Sequence, residues 1–484
     1  MRLLFFGMWT ALLLAANVAR AADAPAKPNI VFIIADDLGI NDLGCYGRKD
    51  HKTPHLDNLA AEGMRFTCSY CAQPICSPSR AAILTGKTPA RLHLTTYLPG
   101  RADVPSQKLL QPKINMQLPL EGITLAEMLK DAGHSTACIG KWHLGGKGPN
   151  QYGFDFVHAG NSDTKPSDTE GGKGEYGLTR RALQFIDQNK EKPFFLYLAH
   201  STPHIPFAAK PKLIEKYRDA FNPVYAAMME SLDDTVGMIV AKLDELRLTE
   251  RTIVVFTSDN GGLHVLESAD SPATYNTPFR AGQGFLYEGG LRVPLIVRWP
   301  GQVPAGRTVD TPVINTDWTP TFLEFCGLKA RSPLDGMSFA PLLKGGDLPP
   351  RSLFWHFPHY SEQGNRPGGA IREGDWKLIE HYEDGKLELF NLAQDIGEEH
   401  DLAAQEPKHV GELKAKLAEW RKAVGAQENK PNPNFDPVWH KRLYEDVDVS
   451  QLKPAATAAE IRAKLRDWRA GMYAVLRPKK SPQP

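Results

Sequence analysis

Residues 29–37 carry a nearly uninterrupted apolar run that ends in two acids: Asn29-Ile30-Val31-Phe32-Ile33-Ile34-Ala35-Asp36-Asp37. A run of β-branched and aromatic side chains predicts a strand buried on both faces, which is typical of a parallel sheet covered by helices. Residues 193–198 and 252–257 repeat the pattern, and polar residues follow each run. Because ligands bind beyond the carboxyl ends of such strands, we expect the three polar tails to converge on one cleft.

Helical patterns separate these strands. Residues 53–60 open with Thr53-Pro54, residues 125–132 end before Gly133, and residues 223–248 carry apolar side chains at helical spacing. Strands that alternate with helices predict a doubly wound α/β domain, which we place at residues 22–350.

The pattern changes after about residue 350, and a smaller α+β domain is expected over residues 351–484. Residues 376–380 and 386–390 read as two short strands around an Asp-Gly turn, which is a hairpin signature. Helical patterns follow near residues 407–424 and 457–476. This domain is therefore predicted to combine a short antiparallel sheet with a helical tail.

Composition and the N-terminus bear on partners and compartment. The 484 residues have a formal net charge of +1, which argues against a nucleic-acid or membrane-surface partner held by charge. Arg2, an apolar run at residues 3–16 and the small-residue site Ala19-Arg20-Ala21 predict a secretory signal peptide over residues 1–21. We expect a secreted or periplasmic protein with no membrane insertion after signal removal.

Two strand ends supply oxygen ligands for a metal ion. Asp36 and Asp37 follow the first run, and Asp259 and Asn260 follow the run at residues 252–257. Carboxylate and amide oxygens without histidine or thiolate favour Ca²⁺ or Mg²⁺ over zinc.

Cysteines allow a different metal site. The spacing Cys68-x2-Cys71-x4-Cys76 suggests zinc, but no second ligand pair stands at the spacing of a structural zinc site. Cys45, Cys138 and Cys326 complete a set that an exported protein could pair as disulfides, and the sequence leaves the pairing open.

A short motif joins a thiol, a proline and a guanidinium: Cys76-Ser77-Pro78-Ser79-Arg80. Pro78 suits a first helical turn, and the following Ala81-Ala82-Ile83-Leu84 propagates it, so residue 76 is expected at a helix N-terminus. The unpaired N–H groups and the helix dipole there favour negative charge such as a sulfate. The same residues can also be read as an ordinary helix entrance.

The motif resembles the signature of the formylglycine-dependent sulfatases of the alkaline-phosphatase-like superfamily. Three further segments are similar to that family: Asp36-Asp37-Leu38-Gly39, Gly140-Lys141-Trp142-His143-Leu144-Gly145 and Ser258-Asp259-Asn260-Gly261-Gly262. The resemblance covers roughly residues 28–400 and implies a large mixed, mostly parallel sheet flanked by helices. It also implies that a formylglycine-generating enzyme oxidises Cys76 to an aldehyde, whose hydrate is the nucleophile.

The resemblance implies a role for each matching residue. Lys141 would hold the diol and the sulfate, and His143 would take a proton when sulfate is expelled. His204 would contact the sulfate and protonate the leaving alcohol, while Arg80 would anchor the diol and the helix. An extended chain would turn Lys141 and His143 to the cleft and Trp142 into packing. The implied ligands of a divalent cation, usually Ca²⁺, are Asp36, Asp37, Asp259, Asn260 and the modified residue 76.

One position departs from the family's pattern. Many sulfatases carry a sulfate-binding lysine between two glycines, where this chain has Gly282-Gln283-Gly284. Gln283 can donate a hydrogen bond but brings no charge, and Arg280 replaces the charge only if its loop bends inward. Further candidates for substrate contact are His200, His359 and Arg366.

The predicted function is hydrolysis of sulfate monoesters, with sulfated carbohydrates as the expected substrates. The aromatic and cationic segments at residues 97–101 and 355–360 favour a glycan. One alternative is a phosphate or phosphonate monoester hydrolase of the same superfamily that uses the same diol and metal. The other is a non-catalytic, calcium-dependent glycan-binding protein in which Cys76 stays a thiol.

Overall fold

The computed structural model describes residues 27–120, 123–160, 165–267 and 272–476. The predicted signal peptide, residues 1–21, lies outside the described residues. The strands, in chain order, are β1 Asn29–Asp36, β2 Met64–Phe66, β3 Ser69–Tyr70, β4 Leu109–Leu110, β5 Ser135–Gly140, β6 Phe156–His158, β7 Phe194–Pro203, β8 Thr252–Ser258, β9 Leu295–Arg298, β10 Arg307–Val309, β11 Val313–Ile314, β12 Ser352–Phe357, β13 Gly368–Glu373, β14 Trp376–His381, β15 Leu387–Asn391 and β16 Lys430–Pro431. The α-helices are α1 Pro54–Ala61, α2 Cys76–Thr85, α3 Pro89–Leu92, α4 Leu125–Asp131, α5 Glu175–Gln188, α6 Pro211–Lys216, α7 Pro223–Glu245, α8 Glu288–Leu291, α9 Trp318–Phe325, α10 Ala340–Leu343, α11 Pro407–Ala423, α12 Pro437–His440 and α13 Ala458–Leu476.

The large sheet has eight strands in the order β10-β2-β9-β8-β1-β7-β5-β6. β1 lies between β7 and β8 and pairs with both in parallel. β9 pairs antiparallel with β8 and with β2, so the sheet is mixed but mostly parallel. This confirms the parallel central strands predicted from the apolar runs and the mixed, mostly parallel sheet that the resemblance implies.

Helices cover both faces of this sheet. Val31 and Ile33 of β1 belong to a core cluster with side chains of α5 and α7, whereas Phe32 belongs to the opposite cluster with side chains of α4 and α9. Alternate residues of a strand point to opposite faces, so an unbroken apolar run is what a strand between two helical layers requires.

The C-terminal part carries the antiparallel sheet that the hairpin signature predicts. β12, β13, β14 and β15 follow one another as a four-stranded meander. Leu413 and Leu417 of α11 pack on one face of it, while Trp355 and Phe357 join the core that lies under the large sheet. None of the helices among the described residues has the length and apolar character needed to cross a bilayer.

Candidate active site

The carboxyl ends of three central strands meet at one place, as the sequence predicts. Ala35 lies opposite Ser258, and Asp36 lies opposite Pro203, so Asp36, Asp259 and His204 follow neighbouring strand ends. The backbone N–H of Asp37 donates to Asp259 Oδ1 at 3.1 Å, which ties the first strand end to the second. Asp37 adopts a left-handed conformation with φ of 63°, and its side chain accepts from Asn260 Nδ2 at the second strand end.

Helix α2 brings the cysteine to these strand ends. Cys76 is its first residue, after Ile75 in an extended conformation, so the thiol lies at the helix N-terminus as predicted. Its Sγ lies 3.8 Å from Asp37 Oδ1. Burial raises the pKa of the thiol well above its ordinary value, and the nearby carboxylates add to this rise. An unmodified Cys76 is therefore a protonated thiol and a poor nucleophile.

Arg80, one turn further along α2, is fully buried among the acids. Its Nε and one terminal nitrogen each lie 2.8 Å from Asp259 Oδ2, and the same terminal nitrogen lies 3.3 Å from Asp36 Oδ1. The other terminal nitrogen donates to the carbonyl of Lys141 at 3.0 Å. One guanidinium thus joins α2 to three strand ends, which its fork of donors allows and a lysine would not.

Lys141 reaches the site because β5 ends beside β7. Gly140 has φ of 103°, and a Cβ there would lie 1.9 Å from the carbonyl oxygen of Ala199, so only glycine fits. The ammonium of Lys141 then donates to Asp36 Oδ2 at 2.6 Å. Burial lowers the pKa of Lys141, but the negative charges around it, that of Asp36 first, together outweigh burial and raise this pKa above its ordinary value. The side chain therefore stays a cation.

His143 also faces this region, although the extended conformation predicted for it is wrong. β5 ends at Gly140, and His143 has a left-handed φ of 53°. Its Nε2 lies 2.8 Å from the carbonyl of Leu98, whose own N–H donates to Ser77 Oγ at 3.0 Å. Trp142 packs against Tyr152, with ring centroids 5.3 Å apart, as predicted.

The Leu98 carbonyl fixes the tautomer of His143. A carbonyl accepts, so the proton sits on Nε2 and Nδ1 is the basic nitrogen. Nδ1 is buried and has no hydrogen-bond partner in the described part of the chain. Burial and the charge of Lys141 lower the pKa of His143 to about 4. A neutral imidazole at neutral pH follows from these contacts.

His204 stands on the outer side of the site. Its side chain is 28% exposed, and its Nε2 lies 3.6 Å from Asp37 Oδ2. Its Nδ1 faces the carbonyl of Ile205. Burial and the charge of Lys141 lower the pKa of His204 below its ordinary value. Nε2 is thus the nitrogen that can meet a ligand entering the cleft.

The three carboxylates of this site carry more negative charge than its two cations, the side chains of Lys141 and Arg80, can balance. Burial opposes ionisation of Asp36, but the charges of Lys141, His204 and Arg80 together outweigh it and hold the pKa of Asp36 well below its usual range. Burial raises the pKa of both Asp37 and Asp259 to about 7, and the negative charge of Asp36 contributes to each rise. Two carboxylates that resist ionisation side by side indicate a place for a further cation.

The oxygens of this site fit a hard divalent cation. Asp36 Oδ1, Asp37 Oδ2 and Asn260 Oδ1 are buried and accept no hydrogen bond within the described residues. One ligand atom each from Asp36, Cys76 and Asp259 lies within 4.8 Å of the others, and the same holds for Asp37, Cys76 and His204. Carboxylate and amide oxygens of this kind suit Ca²⁺ or Mg²⁺. Asp36, Asp37, Asp259 and Asn260 are therefore the residues that would hold the ion.

The other cysteines do not form the zinc site that their spacing allows. Cys68 contacts Tyr70 and Arg372, whereas Cys71 lies 3.5 Å from the carbonyl of Gly290. Neither belongs to a group of metal-ligating side chains found among the described residues. All six cysteines are free thiols, with Cys45 half-buried and the others buried.

Gln283 joins the site at the position of the missing lysine. Its Nε2 donates to Asp37 Oδ1 at 2.7 Å, next to Asn260 Nδ2, which donates to the same oxygen at 2.8 Å. Gln283 is 2% exposed.

Arg280 does not replace the charge at this position, because its loop does not bend inward. Its guanidinium lies 3.8 Å from the ring centre of Tyr287 and donates to the Glu398 carbonyl and to Ser450 Oγ.

Three further candidates also lie outside the contacts of this cluster. His200 is buried, with its Nε2 3.4 Å from Thr235 Oγ1. His359 lies 2.7 Å from Thr95 Oγ1 and lines a separate cavity with Arg101. Arg366 pairs with Glu383 at 3.3 Å.

The segment at residues 355–360 does not present aromatic side chains to a glycan. Trp355, Phe357 and Tyr360 are 1%, 0% and 1% exposed. All three belong to the buried core cluster that contains Val31 and Ile33 of β1, so the expectation that they contact a glycan was wrong.

Two positioning contacts were not predicted from the sequence. Ser77 holds the loop that orients His143, as described above, and its place inside the motif was a usable signal. Lys173 is buried, and its ammonium donates to the carbonyls of Ser201 at 3.1 Å and His204 at 2.6 Å. Lys173 stands in a glycine-rich stretch without a recognisable motif, so only the fold brings it beside His204.

Comparisons with known proteins match this chain to sulfatases. A family model described as Sulfatase matches residues 28–328, and one described as N-sulphoglucosamine sulphohydrolase, C-terminal, matches residues 282–423. N-acetylgalactosamine-6-sulfatase of Canis lupus familiaris is 37% identical over 383 residues, with 71% of each chain covered. Arylsulfatase A of Homo sapiens is 34% identical over 411 residues, which cover 76% of this chain and 77% of the relative.

One solved structure is similar to this chain in both fold and sequence. Ps i-CgsB in complex with k-i-k-neocarrahexaose superposes with a TM-score of 0.71 at 30% identity, covering 82% of this chain and 93% of that chain.

Proposed function

Because this chain belongs to the sulfatase family of the alkaline-phosphatase-like superfamily and is a sulfuric ester hydrolase, we propose that it hydrolyses sulfate monoesters of carbohydrates with a formylglycine made from Cys76 and a bound Ca²⁺. Mg²⁺ is the second candidate ion, since it prefers the same kind of ligand.

One observation carries the proposal. Cys76 stands at the start of a helix, with its Sγ within 4.8 Å of carboxylate oxygens of Asp36, Asp37 and Asp259. Buried oxygens of this site accept no hydrogen bond within the described residues. A thiol with a raised pKa serves neither as a nucleophile nor as a ligand for a hard cation. The position makes chemical sense once residue 76 carries oxygen, and a hydrated aldehyde supplies the attacking oxygen.

The cation supplies positive charge that polarises an oxygen in the site. The protein's own residues supply the rest. Lys141 and Arg80 are cations held in place by Asp36 and Asp259, so they are preorganised where negative charge grows on a sulfate. His204 presents Nε2 to the cleft and is placed to hold the proton that the leaving alcohol needs. His143 keeps a lone pair at Nδ1, so it is placed to take a proton from residue 76.

The substrate class rests on the relatives. The names of the curated relatives include N-acetylgalactosamine-6-sulfatase, and a solved relative was determined with a neocarrahexaose. Both point to sulfated sugars, and a half-exposed His204 at the mouth gives a sugar alcohol access to its proton donor. The N-terminal pattern supports export to the periplasm or beyond, and a formylglycine-generating enzyme is the partner that the modification requires.

Peptide mass spectrometry of the segment around residue 76, on protein from its native host, tests the modification. We expect the mass of formylglycine or its hydrate in place of cysteine. Cys76→Ala should abolish turnover of an aryl sulfate, while Cys45→Ala, a matched thiol away from the site, should not. An intact thiol together with full activity in Cys76→Ala would refute the mechanism, and binding without turnover would favour the glycan-binding alternative.

Paired substrates test the reaction class. For an aryl sulfate and an aryl phosphate with the same leaving group, kcat/KM should be higher for the sulfate. A preference for the phosphate or a phosphonate ester would assign the chain to the alternative hydrolase. A panel of monosulfated and disulfated galactose, N-acetylgalactosamine, glucose and N-acetylglucosamine then identifies the best sugar.

A further inference from the structure

Two buried side chains contact the segment that carries His204, and we name Lys173 and Glu175 together the His204 clamp. Lys173 is 5% exposed and Glu175 is 1% exposed. The ammonium of Lys173 donates to the carbonyl of Ser201 at 3.1 Å and to that of His204 at 2.6 Å. Glu175 accepts from the hydroxyl of Thr202 at 2.5 Å. The clamp thus makes three hydrogen bonds to four consecutive residues at the end of β7.

The clamp binds β7 where this strand departs from regular pairing with β1. Ile34 of β1 lies opposite Ala199. Two residues on, Asp36 lies opposite Pro203, which is four residues beyond Ala199. The extra residues of β7 form a bulge, and a bulge changes the direction of the side chains around it. Two of the three hydrogen bonds from the clamp go to residues inside this bulge, so the clamp fixes the backbone just before His204.

The imidazole of His204 takes its position from this backbone. Its Nδ1 faces the carbonyl of Ile205, the next residue, so this contact does not tie the ring to another element. Its Nε2 lies 3.6 Å from Asp37 Oδ2, which is longer than a hydrogen bond. The hydrogen bond from Lys173 to the His204 carbonyl, in contrast, joins parts of the chain that are 31 residues apart. Removing it frees the backbone that carries the ring.

We propose that Lys173 is a positioning residue for proton transfer by His204, because it fixes the backbone that places Nε2 at the leaving oxygen. This inference rests on the proposed function. As the S–O bond to the alcohol breaks, the electron pair stays on the leaving oxygen, which takes the proton from His204 Nε2. A displacement of about 1 Å costs such a step about a hundredfold in rate. Loss of Lys173 therefore slows esters whose leaving group needs a proton and spares esters whose leaving group is stable as an anion.

Two aryl sulfates separate positioning from a structural role. The para-nitrophenolate anion is stable and leaves without a proton, whereas the phenolate anion is more basic and leaves more readily when it is protonated. The measurement is kcat/KM, which includes cleavage of the S–O bond and so reports on the proton donor. His204→Gln should lower kcat/KM for phenyl sulfate about a hundredfold more than for para-nitrophenyl sulfate, and Lys173→Met about tenfold more. A general loss of structure, or a loss of positive charge near the sulfate, would lower both values equally.

A double variant tests whether Lys173 acts through His204. In the His204→Gln background, Lys173→Met should leave the ratio of the two kcat/KM values unchanged, because the proton donor is already absent. The control is Lys27→Met. Lys27 also donates from its ammonium to a backbone carbonyl, that of Ala132 at 2.6 Å, but it precedes the start of β1 and lies away from the strand ends that form the site. Its loss should leave the ratio at the wild-type value.

A milder variant covers the case in which Lys173→Met does not fold. Thr202→Val keeps the shape of the side chain and removes the hydroxyl that donates to Glu175. It should change the ratio of the two kcat/KM values in the same direction as Lys173→Met. Turnover of para-nitrophenyl sulfate shows that each variant is folded.

The outcomes separate this inference from the proposed function. Equal losses on both esters in Lys173→Met, or a further change of the ratio in the double variant, overturn the positioning role. A ratio that His204→Gln leaves unchanged overturns it too, and leaves hydrolysis of sulfate esters standing. Absence of para-nitrophenyl sulfate hydrolysis in wild-type protein that carries formylglycine and Ca²⁺ overturns the proposed function and this inference together.

Discussion

Replacing Arg80 with methionine removes the buried cation on which the site is built. Methionine keeps the apolar stem of the side chain and deletes the guanidinium. The change takes away two contacts of 2.8 Å to Asp259 and one of 3.3 Å to Asp36. It also removes the hydrogen bond of 3.0 Å to the Lys141 carbonyl.

The magnitude follows from burial. Arg80 and Asp259 are both 0% exposed, so neither water nor salt can replace the lost charge. Removing one partner of such a buried pair costs about 3–5 kcal/mol, because the other charge stays buried without compensation. We expect Arg80→Met to lower the free energy of unfolding by this amount when a chelator keeps the site free of divalent cations. Saturating Ca²⁺ should reduce the difference in the free energy of unfolding between wild type and Arg80→Met, because a dication neutralises the same carboxylates.

The assay is urea unfolding of wild type and variant, followed by tryptophan fluorescence, in chelator and in Ca²⁺. The matched control is Arg91→Met. Arg91 also pairs with an aspartate, Asp335, at 2.7 Å, but its side chain is 40% exposed. Surface pairs of this kind contribute less than about 1 kcal/mol. If Arg80→Met in chelator loses no more stability than Arg91→Met, the argument that Arg80 balances the buried acids is refuted.

Three further predictions concern the metal, a buried histidine and a glycine. Removing divalent cations with a chelator should abolish aryl sulfate hydrolysis. Adding Ca²⁺ at about 100 times its Kd should restore hydrolysis and add about 2.7 kcal/mol to the free energy of unfolding. A urea midpoint that Ca²⁺ leaves unchanged would argue against a cation site formed by these residues. Burial lowers the pKa of His200 from 6.5 to about 4, so the unfolded chain binds this proton first and stability is lost as pH falls through that window. His200→Gln should therefore reduce the loss of stability between about pH 7 and about pH 4 by up to about 3 kcal/mol in urea unfolding, and an identical loss in wild type and variant would contradict this. Gly140→Ala places a Cβ 1.9 Å from the Ala199 carbonyl oxygen and should displace Lys141, lowering kcat about a hundredfold. Gly133→Ala is its control, because Gly133 has a similar φ of 92° with nothing within 4 Å, and equal kcat losses in both variants would exclude the steric explanation.

Local pattern was sufficient for the central strands of the large sheet. An unbroken apolar run can be satisfied only between two covered faces, and β1, β7 and β8 lie there in parallel. The acids at the strand ends follow from the same fact, because the carboxyl ends of parallel strands share one edge. The start of helix α2 at Cys76 was likewise readable from Pro78 and the residues after it.

The orientation of side chains in loops could not be predicted from the sequence. The sequence at residues 355–360 is compatible with side chains that face a glycan and with side chains that face the core. In the structure, Trp355 and Phe357 of β12 point into the core. Arg280 is two residues from Gly282, yet its guanidinium stacks on Tyr287 away from the acids. His143 adopts a left-handed conformation that no alternation rule anticipates.

The sequence by itself determined the central strands of the sheet and the residues with the chemistry to bind a cation and a sulfate, because these depend on periodicity and on residue type. The tertiary structure alone decided which of those residues share one site, how the Leu98 carbonyl fixes the tautomer of His143, and that Lys173 stands beside His204. Contacts between residues far apart in the chain are set by packing of whole layers. Their distances, burial and charge balance therefore exist only in the folded protein.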